Sequence, residues 1–120
     1  MTIKPAIDEL LRRGTDDWVD NTDVAWVAKS IRGAATAEDE RTVSLQLVAE
    51  VVRRGLMELG DLGGDGGTFR KWDMSSDVAL RLADRKWRSL GRVPEIGEVF
   101  WLRNTPEGDR RGERLLSRTK

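Results

Sequence analysis

Four aspartates, Asp16, Asp17, Asp20 and Asp23, crowd one short stretch of this chain. On a helix Asp16 and Asp20, or Asp20 and Asp23, share a side. Carboxylates gathered in that way could hold a hard cation such as Mg²⁺ or Ca²⁺. The spacing matches no calcium-loop pattern. The competing reading is that they cap and solvate helix starts near Trp18 and Val24, because the positive end of a helix attracts acids. No metal is assigned to them.

A second candidate is the loop Gly60-Asp61-Leu62-Gly63-Gly64-Asp65-Gly66-Gly67. Exposed backbone amides can cradle a phosphate. A phosphate loop closes on Gly-Lys-Ser/Thr, whereas this one closes on Gly-Gly-Thr without a lysine. Its two aspartates would repel the anion, so a hairpin tip is the stronger reading and no cofactor is expected.

The basic residues are more suggestive. Arg81, Arg85 and Arg88 recur at helical spacing opposite Leu82 and Trp87, and Arg92 extends the row. With Arg70 and Lys71 they could dock an acidic partner or a nucleic-acid backbone. They could equally be the solvated face that any surface helix must carry. Trp18, Trp26, Trp72, Trp87 and Trp101 read as plugs between elements. Trp72, beside Arg70 and Lys71, is expected to be partly exposed and to anchor a partner, since tryptophan and arginine are enriched at interface hot spots.

The missing residue types narrow the chemistry. There is no histidine, cysteine or tyrosine. The commonest general base, the thiolate nucleophile and the usual transition-metal ligands are therefore lacking. Charge balances at 21 basic and 21 acidic residues. Residues 1–60 hold 8 basic and 11 acidic, a difference of −3, and residues 61–120 hold 13 and 10, a difference of +3. A neutral chain gains little general attraction to nucleic acid or to an anionic membrane. The start, MTIKPAIDELLRRG, lacks the apolar core of a signal peptide, and no apolar run is long enough to span a bilayer. A soluble, cytoplasmic protein is expected.

The elements that must position these groups are punctuated by Gly14, Gly33, Gly55 and Gly91, each read as a helix stop. The spacing predicts helices at about 4–13, with Pro5 in the first turn, and 16–32, capped by Thr22 or Asp23. A third runs from Thr36 or Ala37 to Arg54, and a fourth, capped by Ser75 or Ser76, covers 76–90. In the third, Leu45, Leu47, Val48, Val51 and Val52 make a stripe too wide for one neighbour. It is expected at the centre, packed from two sides. In the fourth, Val78, Ala79, Leu82, Ala83, Trp87 and Leu90 form the buried face. Leu56 to Leu59 and Thr68 to Trp72 flank the glycine loop as a hairpin. Residues 93–105 fit a helix from Pro94 or a buried strand, and the strand is preferred because Gly97 disfavours a helix. The tail after Pro106 reads as a loosely docked helix.

The segments DDWVDNTDVAWVAKSI, LVAEVVRRGLMELGDL and EVFWLRNTPEGDR resemble those of short uncharacterised actinobacterial proteins. The arginine-rich composition, 16 Arg to 5 Lys, agrees with that likeness. The resemblance implies no activity and no site residues.

Together these features predict one α+β domain over 1–120, mainly helical. Four or five helices surround the central helix (37–54), beside a two- or three-stranded antiparallel sheet. Three helices and then a hairpin is also the order of a winged-helix domain. The expected function is a non-catalytic protein–protein interaction or a small regulatory role. Arg70, Lys71, Trp72, Arg81, Arg85 and Arg88 would face another protein or a second copy. A winged-helix-like nucleic-acid binder is the alternative. It is disfavoured because Glu38, Asp39 and Glu40 lead the helix that would approach the phosphates. A carboxylate-dependent metal hydrolase using Asp16, Asp20 and Asp23 ranks below both.

Overall fold

The computed structural model describes residues 3–65 and 67–118. In chain order the elements are α1 (Lys4–Asp16), β1 (Val19–Asp20), α2 (Asn21–Ser30), α3 (Ala37–Arg53), β2 (Met57–Leu62), β3 (Phe69–Lys71), α4 (Ser76–Leu90), β4 (Trp101–Asn104) and α5 (Pro106–Arg118). The fold is α+β and mainly helical, with five helices and one antiparallel sheet among the described residues. The sheet has four strands in the order β1-β4-β2-β3, where two or three were expected. The added strand is β1, in which Val19 pairs with Leu102 and Asp20 with Trp101. Two residues carry too little alternation to read as a strand.

Helix α3 lies at the centre. Thr36 caps it by accepting the Asp39 N–H at 3.0 Å, and Glu38, Asp39 and Glu40 sit at its positive end. Leu47, Val48 and Val51 are fully buried, with Leu45 and Val52 at the edges of the same stripe. The helix packs on α2, α4, β2 and α1. Fully burying side chains of this size stabilises the fold by about 1.5–3 kcal/mol each.

Four local expectations need correction. Helix α2 spans Asn21–Ser30 instead of 16–32, and its cap is Asp20, not Thr22 or Asp23. Gly14 does not stop α1, which runs on to Asp16. A Cβ at Gly14 would lie 2.7 Å from Asn104 Cγ, so glycine is needed there for close approach to β4. Val78 is exposed, because the buried line of α4 runs through Ala79, Ala83 and Trp87. The preceding residue is turned about 100° away from that line. The tail is not loosely docked either. Gly108 and Gly112 face the body of the protein, and a Cβ at Gly112 would come 2.7 Å from the Leu11 carbonyl oxygen of α1. Thr105 secures the start of α5, donating to the Gly55 carbonyl at 2.6 Å and accepting the Gly108 N–H at 3.1 Å.

Within 93–105 only Trp101–Asn104 is strand. Val99 and Phe100 precede it as core plugs, with the Phe100 ring 6.3 Å from that of Trp87. The winged-helix order of three helices and a hairpin is present, but the chain continues. Strand β4 returns between β1 and β2, and α4 packs alongside α3. No helix among the described residues is long and apolar enough to cross a membrane.

Candidate docking surface

Two adjacent buried polar side chains stand at the start of α2. Asp20, only 2% exposed, is the N-cap. Its Oδ1 accepts the Asp23 N–H at 3.2 Å and the Thr22 hydroxyl at 2.7 Å. Asp23 reciprocates by accepting the Asp20 N–H at 3.1 Å, closing a capping box. The second Asp20 oxygen accepts the Gly97 N–H at 2.7 Å. Asn21, also buried, donates from Nδ2 to the Glu95 carbonyl at 3.0 Å and accepts the Val99 N–H at 3.1 Å. A buried polar side chain is tolerated when its hydrogen-bonding capacity is met. Here meeting it fastens the segment between α4 and β4 onto α2.

That segment is also clamped from within. Gly91 caps α4 at φ 64°, in the left-handed region that glycine adopts without strain. The two terminal guanidinium nitrogens of Arg92, Nη1 and Nη2, each donate to the Glu98 carboxylate at 2.6 Å. Glu98 also accepts the Glu95 N–H at 2.6 Å. These bonds, Arg92 first, hold the Glu98 carboxyl down at about 2 and raise the Arg92 guanidinium further. Gly97 has φ 69°, and a Cβ there would press 2.8 Å from the Trp101 indole nitrogen. The outcome is a fixed loop that holds Val93, 58% exposed, and Ile96, 74% exposed, in water. Lone exposed apolar residues are ordinary. Two on one clamped loop are a preorganised surface.

Beside the loop is a cleft of about 390 Å³ between the first turn of α3 and the last turn of α4. Glu38, Glu40 and Arg41 line one side, Trp87 and Arg88 the other, and Arg92, Val93 and Pro94 close one end. Arg41 and Arg88 also rim a second groove of about 290 Å³, which reaches Leu45 and Leu80 along α3 and α4. Most charges here are matched: Arg88 with Asp84 at 2.9 Å, Arg92 with Glu98, and Glu40 with Lys29 at 3.8 Å. Arg41 and Glu38 have no ion pair among the described residues.

Of the six residues expected to face a partner, only Arg88 lines this cleft, together with Arg92, which extends its row. Arg81 and Arg85 are exposed on the outer side of α4. Arg70 and Lys71 are exposed on β3, with Lys71 3.4 Å from Glu58. Trp72 is not the exposed anchor expected. It is 8% exposed, its indole donates to Asp61 at 2.9 Å, and the Lys86 ammonium lies 5.0 Å from the ring centroid. The exposed tryptophan is Trp26, 47% accessible, with the Arg13 guanidinium 4.6 Å from its centroid.

The acidic cluster divides. Asp20 and Asp23 are committed to α2, and Asp23 also takes Arg13 at 3.2 Å. Asp17 accepts the Trp18 N–H at 2.7 Å. Among the described residues no three acids gather closely enough to hold a metal ion. In the hairpin loop Gly67 donates to Asp65 at 2.9 Å and Gly63 to the Thr68 carbonyl at 2.7 Å, so two of the cradle's amides are already used. Gly66 lies outside the described residues.

The sequence reading missed Arg41, Val93 and Ile96. Val93 and Ile96 stand in Val-Pro-Glu-Ile-Gly-Glu, whose proline and glycine are the one local signal of an exposed loop there. No family model matches the chain, and no curated protein or solved structure matches it.

Proposed function

We propose that this chain is a non-catalytic docking protein that acts by binding a protein partner through the face formed by the 92–98 loop and the cleft beside it. The observation that carries this reading is the loop itself. Four side chains and three backbone groups hold it in one shape, and the product is two large apolar side chains in solvent. Preorganisation of this kind lowers the ordering cost of association. The cleft supplies an aromatic floor at Trp87 and a charged rim, the arrangement in which interface hot spots form. The lack of histidine, cysteine and tyrosine agrees with a role that needs no turnover. A cytoplasmic setting, where a cysteine-free chain loses nothing by lacking disulfides, belongs to the same proposal.

The test is capture from lysate with immobilised wild type and with a Val93→Asp, Ile96→Asp double variant. Both positions are exposed, so the variant should fold normally. Specific partners should be retained by the wild type and lost by the variant. Equal capture by both would remove the loop from the proposal.

One observation favours a nucleic-acid reading: the helix order, with Arg81 and Arg85 exposed and lacking ion pairs among the described residues. Against it, α4 packs along α3 and carboxylates lead α3. Retention on DNA that falls about 10³-fold or more between 50 and 200 mM salt, and is lost in Arg81→Ala, Arg85→Ala, would establish that alternative.

A further inference from the structure

We infer that the partner on this face is a second copy of the chain, related by a two-fold axis. The Glu95–Ile96 tip of each copy would enter the cleft of the other. The inference rests on the docking reading above and names its occupant.

A two-fold interface must be self-complementary: if residue i meets residue j, then j meets i. This face carries both halves of such a match. The loop presents an apolar side chain, Ile96, next to a carboxylate, Glu95, whose side chain has no ion pair among the described residues. The adjacent cleft presents an apolar lining, Trp87 and Pro94, next to Arg41, whose guanidinium also lacks an ion pair among the described residues. Neither side chain is tied up in an ion pair within the described residues, although the Glu95 charge acts on Arg92 through space. Glu95 anchors the loop through its backbone N–H and carbonyl alone. Arg41 stands partly buried at the junction of the two grooves, where an incoming carboxylate would meet it in a less aqueous setting than open solvent. The second groove lets the contact continue over Leu45 and Leu80, toward the several hundred Å² per partner that a specific interface requires.

Net charge bears on the choice of occupant. With 21 charges of each sign, two copies approach without overall repulsion, while no general field draws a strongly acidic or basic partner. The attraction must then be local, and the local match is between Glu95 and Arg41.

The test is sedimentation equilibrium of the full chain up to about 200 µM, with folding of every variant checked by circular dichroism and thermal unfolding. Wild type should form a concentration-dependent dimer. Ile96→Asp and Arg41→Glu should each weaken it about tenfold or more, and the doubly exchanged chain, Arg41→Glu with Glu95→Arg, should regain it. The regained dimer is the decisive readout, because a loss caused by a disturbed fold would not be reversed by a second charge change. A monomer at all concentrations, or a dimer indifferent to these variants, overturns the inference. If the wild type is monomeric yet lysate capture is lost in Ile96→Asp, the second copy is overturned and the docking reading stands. If the dimer is also indifferent and capture is unaffected, both fall.

Discussion

Asp20 Oδ2 accepts the backbone N–H of Gly97 at 2.7 Å, joining positions 77 residues apart. The same carboxylate caps α2 through its other oxygen. One buried side chain therefore sets both the start of a helix and the path of the loop that displays Val93 and Ile96.

Asp20→Ala should cost about 3 kcal/mol, combining the loss of a cap with the loss of the side-chain acceptor for the part-buried Gly97 N–H. Asp20→Asn keeps a capping oxygen and should cost about half as much. Urea unfolding measures both, and hydrogen exchange at Gly97 should quicken in the alanine variant. An alanine variant within about 0.5 kcal/mol of wild type would show that the bridge contributes little.

Glycines on the inner face of α5 should tolerate nothing larger. Gly112→Ala would place a methyl 2.7 Å from the Leu11 carbonyl oxygen, and Gly108→Ala would press on the Leu56 carbonyl. Each should lose about 2 kcal/mol by overpacking. Gly64→Ala, with nothing within 4 Å, is the control and should lie within about 0.5 kcal/mol of wild type. Equal stabilities for Gly112→Ala and Gly64→Ala would mean that α5 can shift away from α1 at little cost.

Acid should release the loop through Glu98. Its folded value of about 2 is below the ordinary 4.5, chiefly because Arg92 donates to it and then because the Glu95 N–H does. A lowered value means stabilisation that is complete above about 4.5 and lost as pH falls through about 2. Asp23 works in the opposite sense. Burial raises it above the ordinary 3.8, so its contribution is full below 3.8 and is lost as pH rises through its folded value. Carboxyl carbon titration by NMR should place Glu98 near 2 and return it toward 4.5 in Arg92→Gln. A wild-type midpoint already near 4.5 would show that the clamp is open in solution.

Iodide should quench chiefly Trp26. It is 47% exposed, whereas Trp72 and Trp87 are buried and Trp18 and Trp101 are half-buried. Trp26→Phe should therefore remove the largest quenchable component of the fluorescence, while Trp72→Phe should leave that component in place. If Trp72→Phe removes it instead, the Asp61 and Lys86 contacts around that ring do not persist in solution.

Local rules were enough for much of the fold. The bounds of α4 follow from Ser75, Gly91 and the apolar spacing between them, and the start of α3 follows from Thr36 and three acids. The stripe of α3 reads as central because it is too wide for one neighbour, and it packs on several. These features depend on residues within a few turns of one another, so chain order records them. The sequence also restricted the chemistry by omitting histidine, cysteine and tyrosine. Tertiary structure decided the remainder. Whether a glycine stops a helix, as Gly91 does, or admits a neighbour, as Gly14 and Gly112 do, depends on what lies across the contact. Trp72 is covered because Lys86 and Asp61 reach it, and Ile96 is uncovered because Asp20 and Asn21 hold its loop from the far end of the chain. Exposure is a property of distant neighbours, and chain order does not list them.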